Sequence, residues 1–160
     1  MRSSRLRGFT LVEILVVVII LGVLAAIVLP QFGQATSDAR LSSLKSNLQT
    51  IRAQLQTYKV QHVDVFPGAT FNTQMTSYTD SSGGTATAPD STHSLGPYLM
   101  SVPANPISTS SSIRIVTDAT TTFTAPATDA GWWYNSTTGE FRADLQDSWT
   151  TNDGSKYNEL

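Results

Sequence analysis

Residues 7–13, Arg7-Gly8-Phe9-Thr10-Leu11-Val12-Glu13, open an apolar run that continues to Leu29 and stops at Pro30. Three arginines, Arg2, Arg5 and Arg7, precede the run, and Glu13 is the lone charge inside it. A stretch of this length and character suits a helix that spans a bilayer. A carboxylate in such a helix costs about 2.5–3.5 kcal/mol on insertion scales, so it calls for a partner. The expected partner is another copy of the same protein. By the positive-inside rule the three arginines hold the N-terminus in the cytoplasm, which puts everything beyond Pro30 on the outer side.

Two plainer readings compete for the same stretch. A secretory signal peptide also has a basic start and an apolar core, and a small-residue cut would fall near Ala25 or Ala26. Against it, Ile27, Val28 and Leu29 continue the apolar run past that point, and the run from Phe9 to Leu29 exceeds a typical signal core. A plain single-pass anchor explains the length but leaves Glu13 and the Gly8-Phe9 pair without a purpose.

The residues Arg7-Gly8-Phe9-Thr10-Leu11-Val12-Glu13 resemble the processing site of type IV pilins and type II secretion pseudopilins. The resemblance runs from Met1 to about Pro30 and continues along the following helix to His62. In that family a membrane enzyme, prepilin peptidase, cuts after the glycine and methylates the new N-terminal residue. Carried onto this chain, the cut falls between Gly8 and Phe9 and removes a leader, residues 1–8. Glu13 then pairs with the charged amine of Phe9 on an adjacent subunit. The resemblance implies an α+β, type IV pilin-like fold. In it a long N-terminal helix, membrane-spanning in its first half, packs against a small antiparallel β-sheet. It also implies partners: further copies in a filament, prepilin peptidase, an inner-membrane assembly platform with minor pseudopilins, and membrane lipid before assembly. In filaments of this family the helix between such a glycine and proline can melt. Gly22 to Pro30 are the corresponding residues here, with a simple kink at Pro30 as the alternative.

Beyond Pro30, Leu41, Leu44, Leu48, Ile51, Leu55, Tyr58 and His62 recur at spacings of three and four, the pattern of a helix with one apolar face. Lys45, Arg52 and Lys59 are seven apart and share another face. Residues 31–62 are therefore read as an amphipathic continuation of the membrane segment, residues 9–30. Together, Phe9 to His62 would form a helix of roughly 80 Å at about 1.5 Å per residue.

Residues 63–160 read as a β-rich head outside the membrane, periplasmic or extracellular. From Val63 onward, Arg114, Arg142 and Lys156 face ten acidic side chains, although the whole chain is only −2. Such a domain is a poor nucleic-acid binder, and none is expected as a partner. There is no cysteine, so the disulfide that closes many type IV pilins is absent, which favours the pseudopilin side of the resemblance. Ser81-Ser82-Gly83-Gly84 reads as a flexible tip. Leu95-Gly96-Pro97-Tyr98-Leu99 reads as a packed segment before proline-set turns. Ile113 to Val116 alternate like a strand, and Thr120 to Thr124 are rich in β-formers. Trp132-Trp133-Tyr134 and Phe141-Arg142-Ala143 flank a turn ending at Gly139, a hairpin pattern. Their aromatic rings are expected to bury the helix stripe.

Asp144, Asp147 and Asp153, with Ser148 and Asn152, carry the oxygen donors that calcium takes. Major pseudopilins bind calcium in a C-terminal loop of this kind, so Ca2+ is the one cofactor the resemblance implies. The chain departs from their glycine- and aspartate-rich pattern, and the alternative is a solvated acidic tail. Asn135-Ser136-Thr137 is formally a glycosylation sequon. No Gly-x-Ser-x-Gly, phosphate loop or His-Glu-x-x-His is present, and His62 and His93 stand in contexts that suggest no catalysis. The sequence thus points to a structural subunit, not an enzyme: a pseudopilin of type II secretion. A pilin of a type IV pilus is the near alternative, and a membrane-anchored binding module using the aromatic hairpin is the alternative of another class.

Overall fold

The computed structural model describes residues 8–151 and 153–160, and within α1 the side chains of Pro30 and Phe32 are left aside. The leader residues 1–7 and Asn152 lie outside the described residues. The helix α1 (Leu11–Gln61) is continuous through Gly22 and Pro30. The chain divides into two compact units at Ala39–Arg40, a boundary inside α1 rather than at Pro30.

In the first unit the described apolar side chains of α1 are exposed. Phe9 is 77% exposed, Leu29 is 70% exposed, and the residues between them stay open to the surroundings. This is a helix long and apolar enough to cross a membrane.

The second unit is built on the C-terminal part of α1. The stripe Leu44, Leu48, Ile51, Leu55 and Tyr58 is buried, as the three–four spacing predicts. It packs with α2 (Phe71–Thr76), through Phe71 and Met75, and with aromatic residues of the sheet. The helix ends in a 6→1 bond from Asp64 N–H to the Lys59 carbonyl, 3.0 Å, with Val63 and Asp64 both at positive φ, +53° and +62°. This is the αL exit that usually takes glycine, and a β-branched residue holds it here at a steric cost.

The head holds two small sheets. Strands β1 (Tyr78–Thr79) and β2 (Thr85–Ala86) form an antiparallel hairpin. Its turn contains Ser81-Ser82-Gly83-Gly84, so the expected loose tip is a defined connection. Asp80 accepts hydrogen bonds from Ser82 N–H and Gly84 N–H there, 2.8 and 2.9 Å. The second sheet has the order β3 (Ile113–Val116), β4 (Trp132–Asn135), β5 (Phe141–Ala143). Strands β4 and β5 are the expected antiparallel hairpin, whereas β3 runs parallel to β4, so this sheet is mixed rather than purely antiparallel.

The parallel pair explains a second departure. A parallel connection must return the chain across the sheet, which takes a dozen or more residues. Residues 117–131 make that return, and Thr120 to Thr124 lie in it as loop despite their β-forming composition. The return also covers the outer face of the sheet. Trp132 and Tyr134 point into the core beside the helix, while Trp133 lies under the loop and meets Phe123 edge-on at 5.6 Å. Asn135 Nδ2 donates to the carbonyls of Asp118 and Thr121 in the same loop, 3.0 and 3.3 Å. All four β4 residues are therefore buried, and only two of them by the helix side.

Arg52 ties the layers together. Its Nε and Nη2 donate to the Phe141 carbonyl, 3.0 and 2.8 Å, and Nη2 also donates to the Leu160 carbonyl, 2.7 Å. Lys59, on the same face, lies 4.9 Å from the Phe66 ring centroid. The basic face of α1 is thus partly spent on holding the head.

Candidate processing and assembly segment

Residues 8–10 precede the helix and have no regular structure. Gly8 is exposed, and a Cβ built on it would meet no other atom within 4 Å. The Gly8–Phe9 peptide bond therefore lies in open, non-helical backbone, the state a peptidase needs to take a chain into its own site.

Helix α1 starts immediately afterwards, and its start explains part of Glu13. The Thr10 hydroxyl accepts from Glu13 N–H, 3.2 Å. In return Glu13 Oε2 accepts from Thr10 N–H and from the Thr10 hydroxyl, both 3.1 Å. This reciprocal arrangement is a capping box, which satisfies two backbone donors that the first turn leaves orphaned. A carboxylate at this end also sits well against the helix dipole. Thr10 is the residue missed in reading the sequence for partners of Glu13. Its signal was present, since Thr-x-x-Glu before an apolar run is the capping-box pattern.

Glu13 therefore has a local role at the helix start. Both local bonds use Oε2.

The other residues singled out in the sequence fall into place differently. Gly22 and Pro30 lie inside α1. Trp132, Trp133 and Phe141 are 0%, 0% and 1% exposed, so none of these rings offers a face to a ligand. That removes the aromatic hairpin as the site of a binding module. His62 closes the helix stripe: Nδ1–H donates to the Tyr58 carbonyl, 2.8 Å, Nε2 meets Thr79 Oγ1 at 3.0 Å, and the ring stacks on Tyr58 at 3.6 Å. Burial in this stack pushes the Tyr58 phenol up to about 12. Asn135 of the sequon is fully buried, and its Oδ1 also accepts from Thr137 N–H and Thr138 N–H, 3.0 and 3.2 Å. A glycan cannot be attached to that amide in the folded head.

The acidic tail is not gathered into one site. Asp144 is buried against Arg114, Asp147 faces Lys156 and Asn158, and Asp153 turns into its own loop toward Thr151 and Ser155. Among the described residues no three His, Cys, Asp or Glu side chains come together as a metal site.

Comparison with known proteins bears on the N-terminal segment. Residues 3–29 match the family of the prokaryotic N-terminal methylation motif. Over this segment the chain is similar to type IV pilins and type II secretion pseudopilins. The type II secretion system core protein G of Pseudomonas aeruginosa is 42% identical over 62 residues, which is 39% of this chain and 44% of that protein. The type IV major pilin protein PilA of Myxococcus xanthus is 43% identical over 49 residues, 31% of this chain and 22% of that protein. The type IV major fimbrial protein FimA of Dichelobacter nodosus is 36% identical over 55 residues, 34% of this chain and 35% of that protein. The pilin-like chain spans less than half the length of these curated relatives. No solved structure matches it. The relatives are secretion-system and pilus proteins, not enzymes, and the long helix with its small sheets is the α+β arrangement expected of a pilin.

Proposed function

We propose that this chain is the structural subunit of a type II secretion pseudopilus, a helical filament assembled from the inner membrane. Prepilin peptidase cuts between Gly8 and Phe9 and methylates the Phe9 amine. The mature protein waits with residues 9–30 in the bilayer, its N-terminus cytoplasmic and its head periplasmic. An inner-membrane platform, with minor pseudopilins, then draws it out of the lipid into contact with other copies. The observation that carries this reading is the Phe9–Leu29 surface. An apolar helix exposed along its whole length, with one carboxylate at its start and a free Gly8–Phe9 bond before it, suits first lipid and then like helices.

In the filament the Glu13 carboxylate meets the Phe9 amine of an adjacent subunit. Methylation keeps the amine charged and adds apolar surface. Inside an apolar bundle the pair is weakly screened, and it sets the register between subunits. Melting of α1 between Gly22 and Pro30 during extraction is part of the same proposal. Gly22 lacks the helix propensity of its neighbours, and Pro30 removes one backbone donor from the ladder.

A type IV pilus subunit is the second reading, since pilins stand beside secretion-system proteins among the relatives. The absence of cysteine favours the pseudopilus. Intact-mass and N-terminal analysis of the protein from its native membrane tests the pathway: N-methylated Phe9 is expected. A chain starting at Met1 in the presence of the peptidase, or one starting near Ile27, overturns it. Deleting the gene then separates the two filaments. A pseudopilus subunit stops export of folded proteins, and a pilus subunit removes surface fibres.

A further inference from the structure

The relatives' type of fold brings calcium into question at the C-terminal segment, and the residues present do not fit it. Calcium takes six to eight oxygen ligands at about 2.3–2.6 Å, supplied by carboxylates and carbonyls with free lone pairs. Among the described residues the candidate carboxylates face hydrogen-bond donors. Asp147 Oδ2 accepts from Lys156 Nζ, 2.9 Å, and Oδ1 accepts from Asn158 Nδ2, 2.9 Å. Lys156 Nζ also lies 3.8 Å from Glu159 Oε1. Asp144 accepts from Arg114 Nε at 2.9 Å and from Nη2 at 2.5 Å. Asp153 Oδ1 accepts from the Thr151 hydroxyl and from Ser155 N–H, the latter 3.0 Å. The carbonyls nearby are engaged as well: Leu145 O accepts from Asn158 Nδ2, 2.9 Å, and Ser155 O from Thr151 N–H, 2.8 Å.

We infer that the C-terminal segment is closed by its own cation: the Lys156 ammonium, set between Asp147 and Glu159, takes the place that a metal ion would hold. The segment folds back so that Lys156 pairs with Thr150 as an isolated β-bridge and Tyr157 N–H reaches the Trp149 carbonyl, 3.2 Å. Tyr157 and Asn158, the next two residues, are buried at 6% and 2% exposure and anchor the turn that aims the ammonium. The carboxylate partner raises the Lys156 pKa, so the ammonium stays charged at every physiological pH. A built-in ammonium has no dissociation equilibrium, so the head closes at any calcium concentration.

The test is thermal melting of the full chain in detergent, followed by tryptophan fluorescence, in calcium and in excess EDTA. The expected result is one melting temperature in both. Lys156→Met, which keeps the stem and removes the charge, is expected to lower it by about 2 °C in both conditions, the size of a part-exposed pair in a domain of this size. Lys156→Arg is expected to restore it. Calcium held a hundredfold above the dissociation constant of a native site would raise the melting temperature of the unaltered chain by about 5–10 °C. A saturable rise of that kind overturns the inference, whatever the variants do. A Lys156→Met chain that melts with the unaltered one overturns the role given to the ammonium. If Lys156→Met does not fold, Asp147→Asn, which keeps a partner for Asn158 and loses the charge, supplies the same comparison.

Discussion

Glu13 can be divided into its two duties by choice of replacement. The capping box needs an acceptor in reach of Thr10 N–H, 3.1 Å away, and glutamine supplies one as glutamate does. Glu13→Gln therefore keeps the helix start and removes the charge, while Glu13→Ala removes both. Thr10→Val removes the reciprocal hydroxyl and leaves the charge. The cap is worth about 1 kcal/mol. Two unit charges about 4 Å apart at an effective dielectric of about 20 attract by about 4 kcal/mol. Since about 1.4 kcal/mol is a factor of ten, losing the pair lowers the equilibrium for adding a subunit by about three orders of magnitude. Losing the cap lowers it by about fivefold. The assay is the yield of sheared filament, normalised to processed subunit in the membrane. Glu13→Gln and Glu13→Ala should both be processed and both fail to assemble, and Thr10→Val should assemble with a modest deficit. Filaments at normal yield from Glu13→Gln would refute the charge argument. If Glu13→Ala and Thr10→Val then failed alike, the capping box would be the reason the carboxylate is there.

Five further outcomes are expected. Gly8→Val should stay at precursor mass without disturbing the fold, because nothing surrounds Gly8, and a mature-size product would move the cut site elsewhere. Arg114→Met should destabilise the head by about 3 kcal/mol by leaving the buried Asp144 carboxylate without its partner. Asp144→Ala should cost only about 1–2 kcal/mol, because the Arg114 side chain is 40% exposed and recovers water; denaturant melts giving the reverse order would contradict this. Gly139→Ala should cost about 2–3 kcal/mol, since Gly139 has φ +76° and a Cβ there would run into the Phe66 ring; an unchanged melting midpoint would show that the turn can shift freely. Backbone N–H groups of His93 and Thr92 hold Asp90 down at about 2, and the Thr151 hydroxyl with Ser155 N–H does the same for Asp153, against an ordinary 3.8. Asp147 is lowered by Asn158 and Lys156. Depressed carboxylates contribute stability above their unfolded pKa and lose it as pH falls through the folded one. The melting temperature should therefore be flat down to about pH 4 and decline from there to about pH 2, and a flat profile across that window would count against these bonds.

Much of this protein is local, and the local parts were open to reading. The run from Phe9 to Leu29 announces a helix long and apolar enough to cross a membrane, since that needs only length and apolar side chains. The stripe from Leu44 to His62 follows from helical period, and the β4–β5 hairpin from two aromatic runs around a glycine turn. The proposed cut at Gly8–Phe9 and the proposed pairing of Glu13 rest on resemblance at the same few residues. What depended on distant parts of the chain needed the tertiary structure. The parallel pairing of Ile113–Val116 with Trp132–Asn135 turned the threonine-rich stretch between them from candidate strand into crossover. That crossover covers the outer face of the sheet, so Trp133 and Asn135 are buried away from the helix. The acidic tail left calcium and a solvated tail both open, because composition counts carboxylates without their partners. Asp144 faces Arg114 from 30 residues away and Asp147 faces Lys156 from 9, and such pairings follow from the path of the chain, which side-chain type and spacing do not encode.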